Sequence, residues 1–223
     1  MKRLLSGLRL AAVVVTATAL LTSVSVYAQE QTDGDTTLTA KFGIKGGFNL
    51  TSLYVNDVSS EHMKAGWNAG IFAKLPVTKG FSIQPELLYS VKGAQETYNN
   101  ILQGSGVYRF NLNYIELPVL AVVNLTKNFN INAGGYAAYL VSANVKDVNN
   151  DGTIEGATNL DAGNFKRWDF GLVGGLGFDV GAFTLGARYN YGLTHIGNSG
   201  SLSGDLTQNS KNAGATVFIG FAF

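Results

Sequence analysis

Residues 81–92 read Phe81-Ser82-Ile83-Gln84-Pro85-Glu86-Leu87-Leu88-Tyr89-Ser90-Val91-Lys92. Phe81, Ile83, Pro85, Leu87, Tyr89 and Val91 occupy one parity, and Ser82, Gln84, Glu86, Leu88, Ser90 and Lys92 the other. A repeat of two is the signature of an extended strand whose two faces meet different surroundings, whereas a helix groups apolar residues every three or four positions. The segment is therefore read as a strand with one apolar and one largely polar face.

The same alternation recurs on both sides. In 41–50, Phe42, Ile44, Phe48 and Leu50 oppose Lys41, Lys45 and Asn49, and in 67–75, Trp67, Ala69, Ile71, Ala73 and Leu75 oppose Asn68, Gly70, Phe72 and Lys74. Trp168, Phe170, Leu172, Leu176 and Phe178 oppose Asp169, Gly171, Val173 and Asp179. Phe183, Leu185, Ala187, Tyr189 and Tyr191 oppose Thr184, Gly186, Arg188 and Asn190, and Val217, Ile219, Phe221 and Phe223 oppose Thr216, Phe218 and Gly220. Two runs are less regular: 109–123 changes phase between Leu112 and Ile115, which predicts a bulge, and 129–141 is diluted by Gly134 and Gly135. These eight strands are each long enough to cross a bilayer at a tilt. Short connections fall near 76–80, 124–128 and 179–182. Long polar ones are expected over 51–65, 93–108, 142–165 and 195–211. This rhythm predicts an all-β fold: an eight-stranded, antiparallel, up-and-down transmembrane β-barrel with its tight turns on the periplasmic side.

Orientation decides between two barrels. A soluble ligand carrier turns its apolar face inward. Here the apolar face carries Trp67, Phe81, Tyr89, Trp168, Phe178, Phe183, Tyr191 and Phe223 mostly toward strand ends, the pattern of aromatic girdles at membrane interfaces. Composition agrees. Charged residues make up 14% of the chain, well under the usual ~25%, while glycine reaches 28 of 223 residues. Cysteine is absent, which excludes disulfides, thiolate metal sites and a lipid-anchoring cysteine. The net charge is +1, so a basic nucleic-acid binder is excluded.

Residues 1–28 read as a secretory signal peptide, with Lys2 and Arg3 leading, an apolar run over Leu10–Leu21, and Val26-Tyr27-Ala28 before cleavage. Its removal leaves a net charge of −2 on the mature chain. Residues 29–39 are expected to form a short periplasmic leader and 40–223 the barrel domain.

The interior of an eight-stranded barrel is filled by side chains. Lysine or arginine on the lipid face costs about 2–4 kcal/mol near the bilayer midplane, so the ionic residues are expected inside. A lumen network is predicted in which Glu86, Glu116 and Asp169 balance Lys45, Lys74 and Arg188, either as structural filling or as a narrow ion path.

Several motifs resemble the PorT-like branch of the outer-membrane β-barrel (porin-superfamily) proteins. They are Phe42-Gly43-Ile44-Lys45-Gly46-Gly47, Phe81-Ser82-Ile83-Gln84-Pro85-Glu86-Leu87-Leu88-Tyr89-Ser90 and Tyr114-Ile115-Glu116-Leu117-Pro118. Asp169-Phe170-Gly171-Leu172 and Arg188-Tyr189-Asn190-Tyr191-Gly192-Leu193 follow in order, so the resemblance spans almost all of 40–223. It implies an integral outer-membrane barrel of a Gram-negative envelope, with a role in envelope transport or protein secretion.

Chemistry-bearing candidates are few. Asp147-Val148-Asn149-Asn150-Asp151-Gly152 resembles the first half of a calcium loop, with Asp147, Asn149 and Asp151 as oxygen ligands, but Thr158 stands where the closing glutamate belongs. An acidic, turn-rich outer loop is the competing account, and no other cofactor is implied. His62 and His195 are expected in outer loops, and His195 precedes Ser199 and Ser201 without an identifiable third group. The expectation is a non-enzymatic envelope protein supporting membrane integrity, adhesion or secretion, surrounded by outer-membrane lipid and with other envelope or secretion proteins as partners. A small diffusion pore is second and a loop-borne hydrolase or acyltransferase third.

Overall fold

The computed structural model describes residues 38–54, 62–100, 104–149, 154–160, 166–196 and 211–223, with side chains given outside 53–62, 94–110 and 145–160. The described strands are β1 (Lys41–Tyr54), β2 (His62–Pro76), β3 (Phe81–Asn100), β4 (Gly104–Asn124), β5 (Phe129–Asn149), β6 (Ile154–Leu160), β7 (Trp168–Val180), β8 (Phe183–His195) and β9 (Lys211–Ala222). Eight of them form a closed antiparallel ring, β1-β2-β3-β4-β5-β7-β8-β9, sealed where β1 pairs with β9 (Phe48↔Val217). Closure leaves no sheet edge in the wall, the condition for placing strands in hydrocarbon. All eight strands expected from the alternation are staves of this ring.

Short turns at 77–80, 125–128 and Gly181–Ala182 lie at one end, where the ring also receives Lys41 and Phe223. Gly181, first of two residues between Val180 and Phe183, has φ +61°, as a tight II′-type hairpin turn requires. At the opposite end the expected loops are shortened by strand. β3, β4 and β5 run on to Asn100, from Gly104 and to Asn149, and β6 pairs with the far half of β5 (Ala143↔Leu160). Backbone pairing thus persists through much of 93–108 and 142–165, giving a β3-β4-β5-β6 sheet that continues past the ring. The sequence is polar at both parities there, which removes the contrast that marks a strand in the wall.

The irregularity expected in β4 belongs to its neighbour. β4 keeps one phase, with Leu112, Tyr114 and Glu116 buried and Ile115 and Leu117 exposed. Its register with β5 shifts between Asn113↔Ser142 and Tyr114↔Leu140, so Val141 is the extra residue. Leu112 and Tyr114 simply make the inner face apolar at that height.

The outer wall is apolar. Ile44, Ile71, Ile83, Leu117, Ile131, Leu172, Leu185 and Val217 are all exposed. Phenylalanines border this wall at the turn end, where Phe42, Phe178 and Phe183 are exposed and Phe183 packs on Phe221 with ring centroids 5.1 Å apart. Tryptophan and tyrosine border the other end: Trp67 against Tyr89 (5.5 Å), and Tyr139 edge-on to Trp168 (5.2 Å), which stacks on Phe170. Phe129 pairs with Phe178 and Tyr139 with Trp168. At ~3.3 Å per residue and a tilt of about 40°, the stretch from Phe129 to Tyr139 spans about 25 Å, the height of a hydrocarbon belt.

Inside, aromatic rings lie on glycines one or two staves away. A Cβ on Gly43 or Gly220 would meet the Phe72 ring, one on Gly186 the Phe218 ring, and one on Gly171 the Tyr136 ring. These four glycines thus make room for aromatic rings, and Gly175 accommodates Arg188.

Candidate functional site in the barrel lumen

Inward parity carries the buried charges Lys45, Glu86, Lys92, Glu116, Asp169 and Arg188 toward the axis of the ring, where strand separation no longer limits pairing. The midplane cluster is built on Glu86 of β3. Both of its carboxylate oxygens accept from Arg188 Nη1 of β8 at 2.9 Å and from Lys45 Nζ of β1 at 3.1 and 3.2 Å, and Oε1 also accepts from Gln84 Nε2 at 2.7 Å. Arg188 Nε donates to Asn132 Oδ1 at 2.9 Å. Phe218 flanks both cations, its ring centroid 3.7 Å from Lys45 Nζ and 4.5 Å from Arg188 Cζ. A carboxylate buried to this extent is tolerable only because its lone pairs are filled by charged donors.

β3 and β8 stand four places apart in a ring of eight, so the Glu86–Arg188 bond crosses the full diameter. Two further ties do the same. Near the turns, Lys74 Nζ of β2 donates to Asp179 Oδ2 of β7 at 2.9 Å, and Asp179 also accepts from Asn130 Nδ2 and Thr184 Oγ1. Toward the loop end, Asn212 Nδ2 of β9 donates to Tyr114 Oη of β4 at 3.3 Å and to Asp169 Oδ2 at 2.8 Å. Tyr136 Oη donates to Asp169 Oδ2 at 3.3 Å. Lys92 pairs with Glu116 and lies 4.4 Å from the Tyr136 ring centroid. Between these levels, Asn49 Oδ1 accepts from Asn68 Nδ2 and Thr216 Oγ1, linking β1, β2 and β9. A buried apolar cluster including Leu112, Tyr114, Leu140, Val173 and Ile196 fills space beside the polar groups. Among the described residues, small voids of about 20 Å³ include one touching Lys74 and Asp179 and another touching Asn68 and Glu116. Each has room for little more than one water.

The expected lumen residues thus separate into levels. Lys45, Glu86 and Arg188 meet at mid-height. Glu116 and Asp169 lie nearer the loop end, where Lys92, absent from the expected network, is Glu116's partner. Lys74 joins none of these acids but Asp179, because both sit within a few residues of a short turn. Phe72, Tyr114, Tyr136, Asn212 and Phe218 were not singled out as lumen groups from sequence. Phe72 and Phe218 share the inward parity of their runs, whereas Tyr114 falls where the phase reads as irregular, Tyr136 in the glycine-diluted run and Asn212 ahead of the last predicted strand, and the partners that give them a role follow only from closure.

Of the calcium candidates, Asp147 and Asn149 belong to β5, where backbone pairing to Tyr108 and Gly106 makes the segment extended; Asp151 lies outside the described residues. Among the described residues no three His, Cys, Asp or Glu side chains group to hold a metal ion. His62 opens β2 and His195 closes β8, both in strands rather than loops; Ser199 and Ser201 lie outside the described residues. The leader at 1–28 also lies outside them.

Among solved structures, the attachment invasion locus protein Ail of Yersinia pestis, in complex with the heparin analogue sucrose octasulfate, aligns at 11% identity and a TM-score of 0.48. The alignment covers 82% of this chain and 99% of Ail. Neisserial surface protein A aligns at 11% identity and 0.49, covering 83% and 99%. The translocator domain of the autotransporter NalP from Neisseria meningitidis aligns at 10% and 0.36, covering 96% and 97%. No curated protein matches the sequence significantly. A family model described as an outer membrane protein beta-barrel domain matches residues 27–198, and the chain, a closed eight-stranded barrel, belongs to that family.

Proposed function

We propose that this outer-membrane barrel is a closed, non-enzymatic anchor that presents its loop-end sheet to the environment or to envelope partners, and is not a diffusion pore. The observation that carries this reading is the set of ties across the lumen at three heights: Lys74–Asp179, Glu86–Arg188 and Tyr114–Asn212. A solute would have to break at least one tie at each height, and breaking the central one strands buried charge. The β3-β4-β5-β6 sheet supplies a preformed surface beyond the wall, suited to adhesion or to docking a secretion component. The motifs resembling PorT-like proteins favour the secretion role within this reading. Export depends on the 1–28 leader, removed after Ala28, with 29–39 left as a periplasmic segment. If calcium binds, Asp147, Asn149 and Asp151 take it weakly at the loop end.

Recording from purified protein in planar bilayers tests the closed lumen. The expected trace is flat at moderate voltage, and reproducible open steps from the unmodified protein would establish the pore instead.

A further inference from the structure

Basic residues gather on one side of the loop-end rim, directly above the tryptophan–tyrosine girdle. Lys166 and Arg167 are exposed and immediately precede Trp168. Their backbone is held on both flanks: Leu140 N donates to Arg167 O and Lys166 N donates to Ile196 O, each at 2.7 Å. These bonds place the pair between Tyr139 of β5 and His195 of β8. His195, also exposed, pairs in register with Lys211 of β9. Lys166 stands two residues before the outward Trp168, His195 continues the outward parity of Leu193 and Tyr191, and Lys211, half-buried, shares a face with His195 because the two are directly opposed across the strands. Neighbouring strands lie ~4.8 Å apart, so the Lys166 and Lys211 backbones are separated by about 10 Å, within joint reach of one anionic group. Among the described residues, Lys166, Arg167 and Lys211 have no carboxylate partner, and Asp169, the acid nearest in sequence, points into the lumen.

Cations just outside an aromatic girdle lie at the level of lipid headgroups, where phosphate is the abundant anion. The apolar wall continues below them through Trp168, Phe170 and Leu193, so a lipid whose phosphate is held at the lip lays its chains on exposed wall. We propose that Lys166, Arg167, His195 and Lys211 form a binding lip for the phosphate of an outer-leaflet glycolipid, with Tyr139 and Trp168 packing beneath its headgroup. The lip lies at the loop end, which faces outward in barrels of this arrangement, so the glycolipid of that leaflet is the chosen occupant. This inference does not depend on whether the lumen conducts.

The test measures binding of diphosphoryl lipid A to the full barrel in detergent micelles by native mass spectrometry. Wild type is compared with Lys166→Gln/Lys211→Gln and with Lys79→Gln/Lys127→Gln, a control at the turn end. Two headgroup-level lysines set an expected weakening of about thirtyfold in the lip variant. The control should bind within about twofold of wild type, and dephosphorylated lipid A should bind wild type and lip variant equally weakly. Equal binding by lip variant and wild type, or equal loss in the turn-end control, overturns the site. Equal sensitivity of phosphatidylglycerol overturns the choice of glycolipid. Complete displacement by millimolar inorganic phosphate assigns the lip to a soluble anion and overturns the lipid reading. Far-ultraviolet circular dichroism on each variant confirms the folded barrel, since the substitutions lie at the rims of the ring, outside its apolar belt.

Discussion

Glu86→Gln is the most informative perturbation of the lumen. The substitution keeps the shape of the side chain but removes the one negative charge lying between Lys45 and Arg188. Glu86 is 2% exposed, so water cannot replace what is lost. Breaking a buried ion pair by neutralising one partner costs about 3–5 kcal/mol, and here one carboxylate serves two cations. With a urea dependence of about 1–3 kcal/mol per molar, a loss of 3 kcal/mol lowers the unfolding midpoint by about 1–3 M. Trp67 and Trp168 are the only tryptophans and both face outward, so their fluorescence reports departure of the wall from lipid vesicles. Because the cluster is buried, the loss should be similar at low and high salt. Adding Arg188→Met removes one uncompensated cation, and the double variant should recover at least about 1 kcal/mol relative to Glu86→Gln alone. An unchanged midpoint in Glu86→Gln, or a double variant less stable than the single one, would refute the central role given to this carboxylate.

The wall gives a second prediction. Ile71 is 47% exposed between Ile44 and Leu87, and Ile71→Arg should cost about 2–4 kcal/mol of folding into vesicles, read as loss of the heat-resistant folded band on a gel. At the turn end, Lys74–Asp179 is partly exposed, so Asp179→Asn should lower stability by less than about 1 kcal/mol in the same urea titration. Gly186→Ala places a Cβ against the Phe218 ring and the Leu176 carbonyl and should cost about 1–3 kcal/mol. Gly46→Ala, on the outer wall with its nearest neighbour 3.6 Å away, should leave the midpoint unchanged.

The staves were legible because each separates lipid from lumen, and that contrast repeats every second residue. Where the contrast ends, so does the signal: β6 and the far halves of β3, β4 and β5 lie beyond the ring and alternate weakly. The lumen charges could be assigned to the inside but not to one another, since Glu86 and Arg188 are 102 residues apart and meet only through closure. A height argument was nonetheless available. Glu86 and Arg188 are each the sixth residue of a strand that starts at a short turn, which puts them level. Lys74 and Asp179 each stand just before such a turn, which separates them from the central cluster. Counting from turns could therefore have corrected the expected partner of Lys74. The Tyr114–Asn212 tie had no comparable signal, because Asn212 follows a long connection of unconstrained height.

The rings seated on glycines answer a question that alternation leaves open. Displacing a strand by one residue exchanges its faces and is strongly opposed, but displacement by two preserves them. Such a two-residue slippage of β1 would bring Lys41 or Lys45 under Phe72 in place of Gly43. The same slippage of β7 would bring Asp169 or Val173 under Tyr136 in place of Gly171, and that of β8 would bring Thr184 or Arg188 under Phe218 in place of Gly186. In each case a side chain would compete for the volume of an aromatic ring. The glycines thus discriminate among threadings that are equally amphipathic, so the residues with no side chain help select the one that closes.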